Sequence, residues 1–228
     1  MIKRIVGFGC SWIHGDEIEH PTAEPGSKEH RVYREQNCTL GQLAKLMKVK
    51  PFNVDNRGIG GASLQCIQWE FGRWAMRNTA TNDTLVVVGL TEASRMSWWN
   101  GPNKNSKHGG RYMHNHWVYP GHPWEDFVKF YYANSDEHKL WAMNYWHTVT
   151  FIHNYCSVHN LPLFMFNVFA PLCDMEEVVD SSWNARGYMH SVHHKEGDVL
   201  ALGKHPNEKG SIILAERLHH MIDSAKIL

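Results

Sequence analysis

The segment Ile5-Val6-Gly7-Phe8-Gly9-Cys10-Ser11-Trp12-Ile13-His14-Gly15-Asp16-Glu17 decides how this chain is read. It opens as an apolar, β-branched run that suits a central strand over residues 2–9. It breaks at Gly9 and presents Ser11 at the start of a loop. A serine at a strand end, flanked by glycines that admit other backbone, is one way to build a nucleophile. The rest of the chain is read for what would complete such a site.

Working outward, residues 16–37 carry Pro21, Pro25 and Gly26 and read as loop. Thr39 suits the cap of a helix over 40–48, with Leu40, Leu43, Ala44 and Met47 on one face. Pro51-Phe52-Asn53-Val54 reads as a second strand, followed by the glycine-rich turn Asn56-Arg57-Gly58-Ile59-Gly60-Gly61 and a helix over 63–78. Leu85-Val86-Val87-Val88-Gly89 is the clearest strand; a continuous apolar run of this kind fits a parallel strand buried on both faces. Residues 97–136 are rich in Asn, Gly, His, Trp and Pro and read as an irregular insertion, of the kind that forms lids or binding walls. A helix over 137–159, a strand over 161–168, an irregular stretch over 170–197 with a short helix near 175–180, a short fifth strand near 198–201 and a last helix over 206–226 complete the plan. Strands alternating with helices imply one α/β domain over 1–228 with a mostly parallel sheet. Ligands then bind at the carboxyl ends of its strands.

Composition narrows the function. Lys plus Arg and Asp plus Glu both number 23, so nothing draws the chain toward nucleic acid or an anionic membrane. No apolar run approaches the roughly 18 residues of a membrane span, and Met1-Ile2-Lys3-Arg4 leads directly into a strand, so no leader is expected. Five unpaired-looking cysteines suit a reducing compartment. A cytoplasmic protein is expected, or one carried in a virion or released by lysis. The 17 histidines and 10 tryptophans are unusual; the aromatics either fill core and loops or line a carbohydrate groove.

A serine needs a base to become a nucleophile. The best-placed histidine is His205, because Pro206 restricts its backbone to extended geometry and the pair opens the last helix. An oxyanion needs donors. Candidates are the backbone N–H groups of Ser11 and Gly61 and the hydroxyl of Thr91.

These residues resemble the SGNH (GDSL-type) hydrolases. Gly9-Cys10-Ser11 with Gly15 resembles the family's nucleophile block. Asn56-Arg57-Gly58-Ile59-Gly60-Gly61 matches its Asn-x-Gly-x-x-Gly block, Gly89-Leu90-Thr91-Glu92 aligns with Gly-x-Asn-Asp, and His205-Pro206-Asn207-Glu208-Lys209-Gly210 matches the last block. The resemblance, closest to divergent bacteriophage members, implies a flavodoxin-like, three-layer α/β/α fold with about five parallel strands. It also implies an esterase or acyl-hydrolase with catalytic Ser11 and His205 and oxyanion groups on Ser11, Gly61 and Thr91, needing no cofactor. Its substrate is expected to be a small-molecule or carbohydrate ester, with acetyl as the favoured acyl group. Three departures stand out. Cys10 replaces an aspartate, Thr91 replaces an asparagine, and Leu202 occupies the acid position before the histidine. Either a backbone carbonyl orients His205, or an acid such as Asp198 does. Asp16 and Glu17 read as solvated loop carboxylates.

Competing signals are weaker. Cys10 is an alternative nucleophile. Gly7-x-Gly9 is an incomplete dinucleotide fingerprint. His114 with His116, and His190 with His193 and His194, lack a third ligand at metal spacing, so no metal is expected. Arg95, Trp98 and Trp99 are candidates for substrate binding. The departures also motivate a different class, a catalytically impaired glycan-binding or virion-associated structural module on the same fold.

Overall fold

The computed structural model describes residues 1–77, 81–92, 95, 125–134, 137–168, 184–185, 199–201 and 205–227. Five parallel strands form one sheet: β1 (Arg4–Phe8), β2 (Val54–Asn56), β3 (Thr84–Leu90), β4 (Leu163–Asn167) and β5 (Asn184–Ala185). Their order is β2-β1-β3-β4-β5, which is the flavodoxin-like arrangement. The helices are α1 (Ser11–His14), α2 (Lys28–Asn37), α3 (Thr39–Leu46), α4 (Leu64–Ala75), α5 (Glu125–Asn134), α6 (Glu137–Val158) and α7 (Glu208–Ser224).

The layers follow from the alternation of β1. Side chains of successive strand residues point to opposite faces. Phe8 packs edge-on against Phe71 and Trp74 of α4, with ring centroids 5.3 and 5.7 Å away. At Gly7, on the other face, an added Cβ would sit 2.5 Å from the Leu40 side chain of α3. Helix α4 packs on α6, and α3 packs on α7, so each face of the sheet carries a helical layer. All seven residues of β3 are buried, as a central strand covered on both faces requires.

The strands at Ile5, Leu85 and Phe164 and the helices α3, α4, α6 and α7 lie where periodicity places them. Several details differ. Helix α2 occupies the second half of the expected 16–37 loop, capped by Ser27, whose hydroxyl accepts from the His30 N–H. It is strongly polar, with Val32 and Tyr33 as its apolar side chains, and none of its residues is buried, so no apolar run marks it. Strand β2 begins at Val54, because Pro51–Asn53 forms a 3₁₀ turn. Helix α5 lies inside the expected irregular insertion. The fifth strand is Asn184–Ala185, not 198–201; Leu200 instead makes an isolated antiparallel bridge with Pro206. The short helix near 175–180 falls outside the described residues. No helix among the described residues is long and apolar enough to cross a membrane.

Candidate active site

Strand β1 lies between β2 and β3, so the loops leaving β1 and β3 diverge at the point where strand order reverses. Such a crevice is where open α/β sheets bind ligands. The register pairs Phe8 with Val88, and Ser11 and Thr91 each follow that pair by three residues.

Ser11 is the first residue of α1 and is only 4% exposed. Cys10 precedes it in extended geometry, and Gly15 ends the helix in the left-handed region at φ 82°. Ile13 anchors this turn across the ends of two strands. A Cβ at Gly9 would lie 2.6 Å from Ile13 Cγ1, and one at Gly89 would lie 2.9 Å from it. The glycines therefore make room for Ile13, and Ile13 sets where Ser11 stands.

The glycine-rich turn after β2 is bolted to this helix. The Ile59 N–H donates to the Gly9 carbonyl at 2.9 Å. Asn56 accepts from the Gly58 N–H at 3.0 Å and donates to the Ile13 carbonyl at 2.9 Å. Gly58 lies so close to the helix that a Cβ would be 2.5 Å from the His14 nitrogen. Gly61 adopts φ 70°, a conformation that favours glycine. The Ser11 and Gly61 N–H groups donate to no other described backbone group.

Thr91 is 4% exposed, and its hydroxyl oxygen is buried without a hydrogen-bond partner among the described residues. The Cys10 thiol is near enough for that hydroxyl to favour its thiolate. Sulfur is a weak acceptor, however, and no bond of standard geometry forms. Burial raises the Cys10 thiol above its ordinary range, against the smaller opposing pull of the Arg95 charge. A fully buried thiol held neutral is a poor nucleophile, which weighs against the Cys10 alternative. Arg95 is itself buried and lies 3.4 Å from the Glu92 carboxylate.

His205 lies three residues ahead of α7. The Ala201 N–H donates to the His205 carbonyl at 2.9 Å, and the Asn207 N–H donates to the Val199 carbonyl at 3.0 Å. Asn207 caps α7, its side chain accepting from the Gly210 N–H at 2.9 Å. The His205 ring meets Glu17: Nδ1 lies 2.8 Å from Glu17 Oε2, and the His205 N–H donates to the same oxygen at 3.2 Å. Glu17 is therefore not a solvated bystander. Asp198 and Leu202 lie outside the described residues, as do Trp98 and Trp99. A cleft of about 600 Å³ lined by Glu17, Ile18, Glu19, Ala201 and Asn207 opens beside the pair.

No family model matches the chain, and no curated protein matches it. Solved structures do. The psychrotrophic esterase EstA from Pseudoalteromonas sp. superposes over 97% of this chain and 97% of its own, with 10% identity and a TM-score of 0.51. The chain has the fold of the SGNH hydrolases. Two carbohydrate esterases share that fold. One, from a structure on divergent catalytic and non-catalytic binding functions, has 13% identity and a TM-score of 0.51 over 98% of this chain and 66% of its own. The other, a family two carbohydrate esterase from Clostridium thermocellum in complex with cellohexaose, has 12% identity and a TM-score of 0.50 over 100% of this chain and 66% of its own. These neighbours lend nothing to the bacteriophage part of the resemblance.

Within the SGNH fold, Ser11, the Gly61 turn and Thr91 follow the ends of three neighbouring strands, and Glu17 links His205 to the Ser11 segment. Sequence reasoning missed Glu17 because its partner is 188 positions away. The one local hint, a carboxylate just past the Gly15 turn, is common in ordinary loops. Among the described residues no His, Cys, Asp and Glu cluster is suited to a metal; His114, His116, His190, His193 and His194 lie outside them.

Proposed function

We propose that this protein is a serine esterase that removes a small acyl group, such as acetyl, from a carbohydrate or other small alcohol. Ser11 Oγ attacks the ester carbonyl carbon while His205 takes the hydroxyl proton. The C–O bond to the alcohol breaks, and His205 returns that proton to the leaving oxygen. Water, activated by the same histidine, then cleaves the Ser11 acyl ester. The oxyanion formed in each half-reaction accepts from the N–H groups of Ser11 and Gly61 and from the Thr91 hydroxyl.

The observation that carries this reading is the Thr91 hydroxyl, buried and without a hydrogen-bond partner among the described residues. Leaving a buried donor unsatisfied costs on the order of 1–3 kcal/mol. Such a cost is understandable where an incoming oxygen supplies the missing acceptor, and the strand edge beside Ser11 is where an oxyanion would form. The carbohydrate preference rests on the fold neighbours that are carbohydrate esterases.

The test is turnover of short aryl esters and acetylated sugars by wild type and Ser11→Ala. Full activity in Ser11→Ala sinks the reading. A Ser11 inert to fluorophosphonate, together with sugar binding that is lost in Trp98→Ala, favours the glycan-binding module instead.

A further inference from the structure

The acid position that the resemblance expects before His205 holds Leu202. We propose that Glu17, on the nucleophile's own segment, is the positioning residue that aligns His205. This rests on the serine-esterase reading and specifies how that site is held together.

The geometry of the contact comes first. A single Glu17 oxygen, Oε2, accepts from both the ring Nδ1 and the backbone N–H of His205. An ionised carboxylate can only accept, so Nδ1 carries the proton. That leaves Nε2 as the basic nitrogen, the tautomer a general base requires. The second bond holds the backbone, so ring and segment are fixed together.

Backbone strain is the independent observation. Glu17 adopts φ 68°, in the left-handed region. Sparsely populated conformations of this kind are energetically costly for a residue other than glycine. The preceding turn already uses a glycine, Gly15, for its own left-handed step. Glycine at 17 would relieve the strain but would remove the carboxylate. A strained glutamate whose side chain lands on a candidate base is what a functional constraint leaves behind.

The donor side is equally fixed. His205 is held by the Ala201 and Asn207 backbone bonds and by the Leu200–Pro206 bridge. The Glu17 and His205 side chains are 30% and 28% exposed, so water weakens the pair relative to a fully buried one. Nucleophile and acid lie six residues apart on one segment. Backbone bonds from Gly15 and Asp16 to the Ser11 carbonyl tie them into one segment, and His205 arrives from the distant end of the chain.

Glu17→Gln and Glu17→Gly test this beside Ser11→Ala, with turnover, rate of fluorophosphonate capture by Ser11, and melting temperature as readouts. Both Glu17 variants are expected to lose about 10²-fold in kcat and in capture rate with little change in KM. That is less than the roughly 10⁴-fold seen when a buried orienting acid is neutralised. Glu17→Gly should melt no lower than wild type. Ring ¹⁵N shifts of His205, assigned by difference against His205→Ala, should report the Nδ1–H tautomer in wild type and lose it in Glu17→Gly. Turnover and capture within threefold of wild type, a wild-type Nε2–H tautomer, or activity loss that tracks a lowered melting temperature in both variants would overturn the proposal. If Ser11→Ala keeps full activity, the esterase reading itself fails. If Ser11→Ala is inactive while both Glu17 variants work normally, only the role of Glu17 falls.

Discussion

The two halves of the candidate site are built by different means. The half that holds Ser11, Gly61 and Thr91 grows from three adjacent strand ends and is locked by backbone. Ile13 fills the space left by Gly9 and Gly89, and Gly58 presses on His14. The Ile59 N–H is bonded to the Gly9 carbonyl. The half that holds His205 meets the first at the Glu17 side chain, whose Oε2 lies 2.8 Å from the ring. Close backbone approach tolerates little change in the first half. A carboxylate bridge can be supplied from more than one place in a fold, so the second half is free to diverge.

Experiments can break this contrast. His205→Ala should match Ser11→Ala, each losing about 10⁴–10⁶-fold in kcat, and the double variant should lose little more, because residues that act as a unit are strongly non-additive. Additive losses in single-turnover assays would show that the halves do not work together. Thr91→Val removes one oxyanion donor and should cost about 10²–10³-fold in kcat with KM nearly unchanged. Thr91→Asn, which offers a longer donor, should retain more activity than Thr91→Val. An unchanged kcat in Thr91→Val would leave the buried hydroxyl without a role.

Gly58→Ala sharpens the contrast through stability. Its Cβ would meet backbone at 2.5 Å, so the turn must shift. We expect a loss of about 1–3 kcal/mol in chemical denaturation, as for other overpacked sites. Glu17→Gly should show no such loss. Equal destabilisation by the two would mean that the halves are alike. The smallest effect is expected from Cys10→Ser. Burial keeps that thiol protonated, so activity should stay within a few-fold of wild type. Loss on the scale of Ser11→Ala would revive Cys10 as the nucleophile.

Much of the fold was legible because burial imposes local patterns. The Leu85–Val88 run reads as a central strand, and β3 is one. The Asn56–Gly61 motif reads as a turn at a strand end, and its glycines are small for contacts that the structure displays one by one. Helix α2 was not legible, because none of its residues is fully buried and its sequence is almost wholly polar. Strand β5 is two residues long, too short for any periodicity to mark it.

By itself, the sequence determined the alternation of strands and helices, the strand-end position of Ser11 and the glycine turn beside it. Each depends on neighbours within a few residues, where periodicity and glycine sterics act directly. Only the tertiary structure decided which carboxylate reaches His205. Leu202 marks a missing acid, but the chain offers many Asp and Glu residues, and local chemistry cannot rank contacts made across 188 positions. Packing of β1 between β2 and β3, with the turn ahead of α7 brought to the same edge, carries Glu17 there. Its left-handed backbone, invisible in the residue's identity, aims the side chain at the ring.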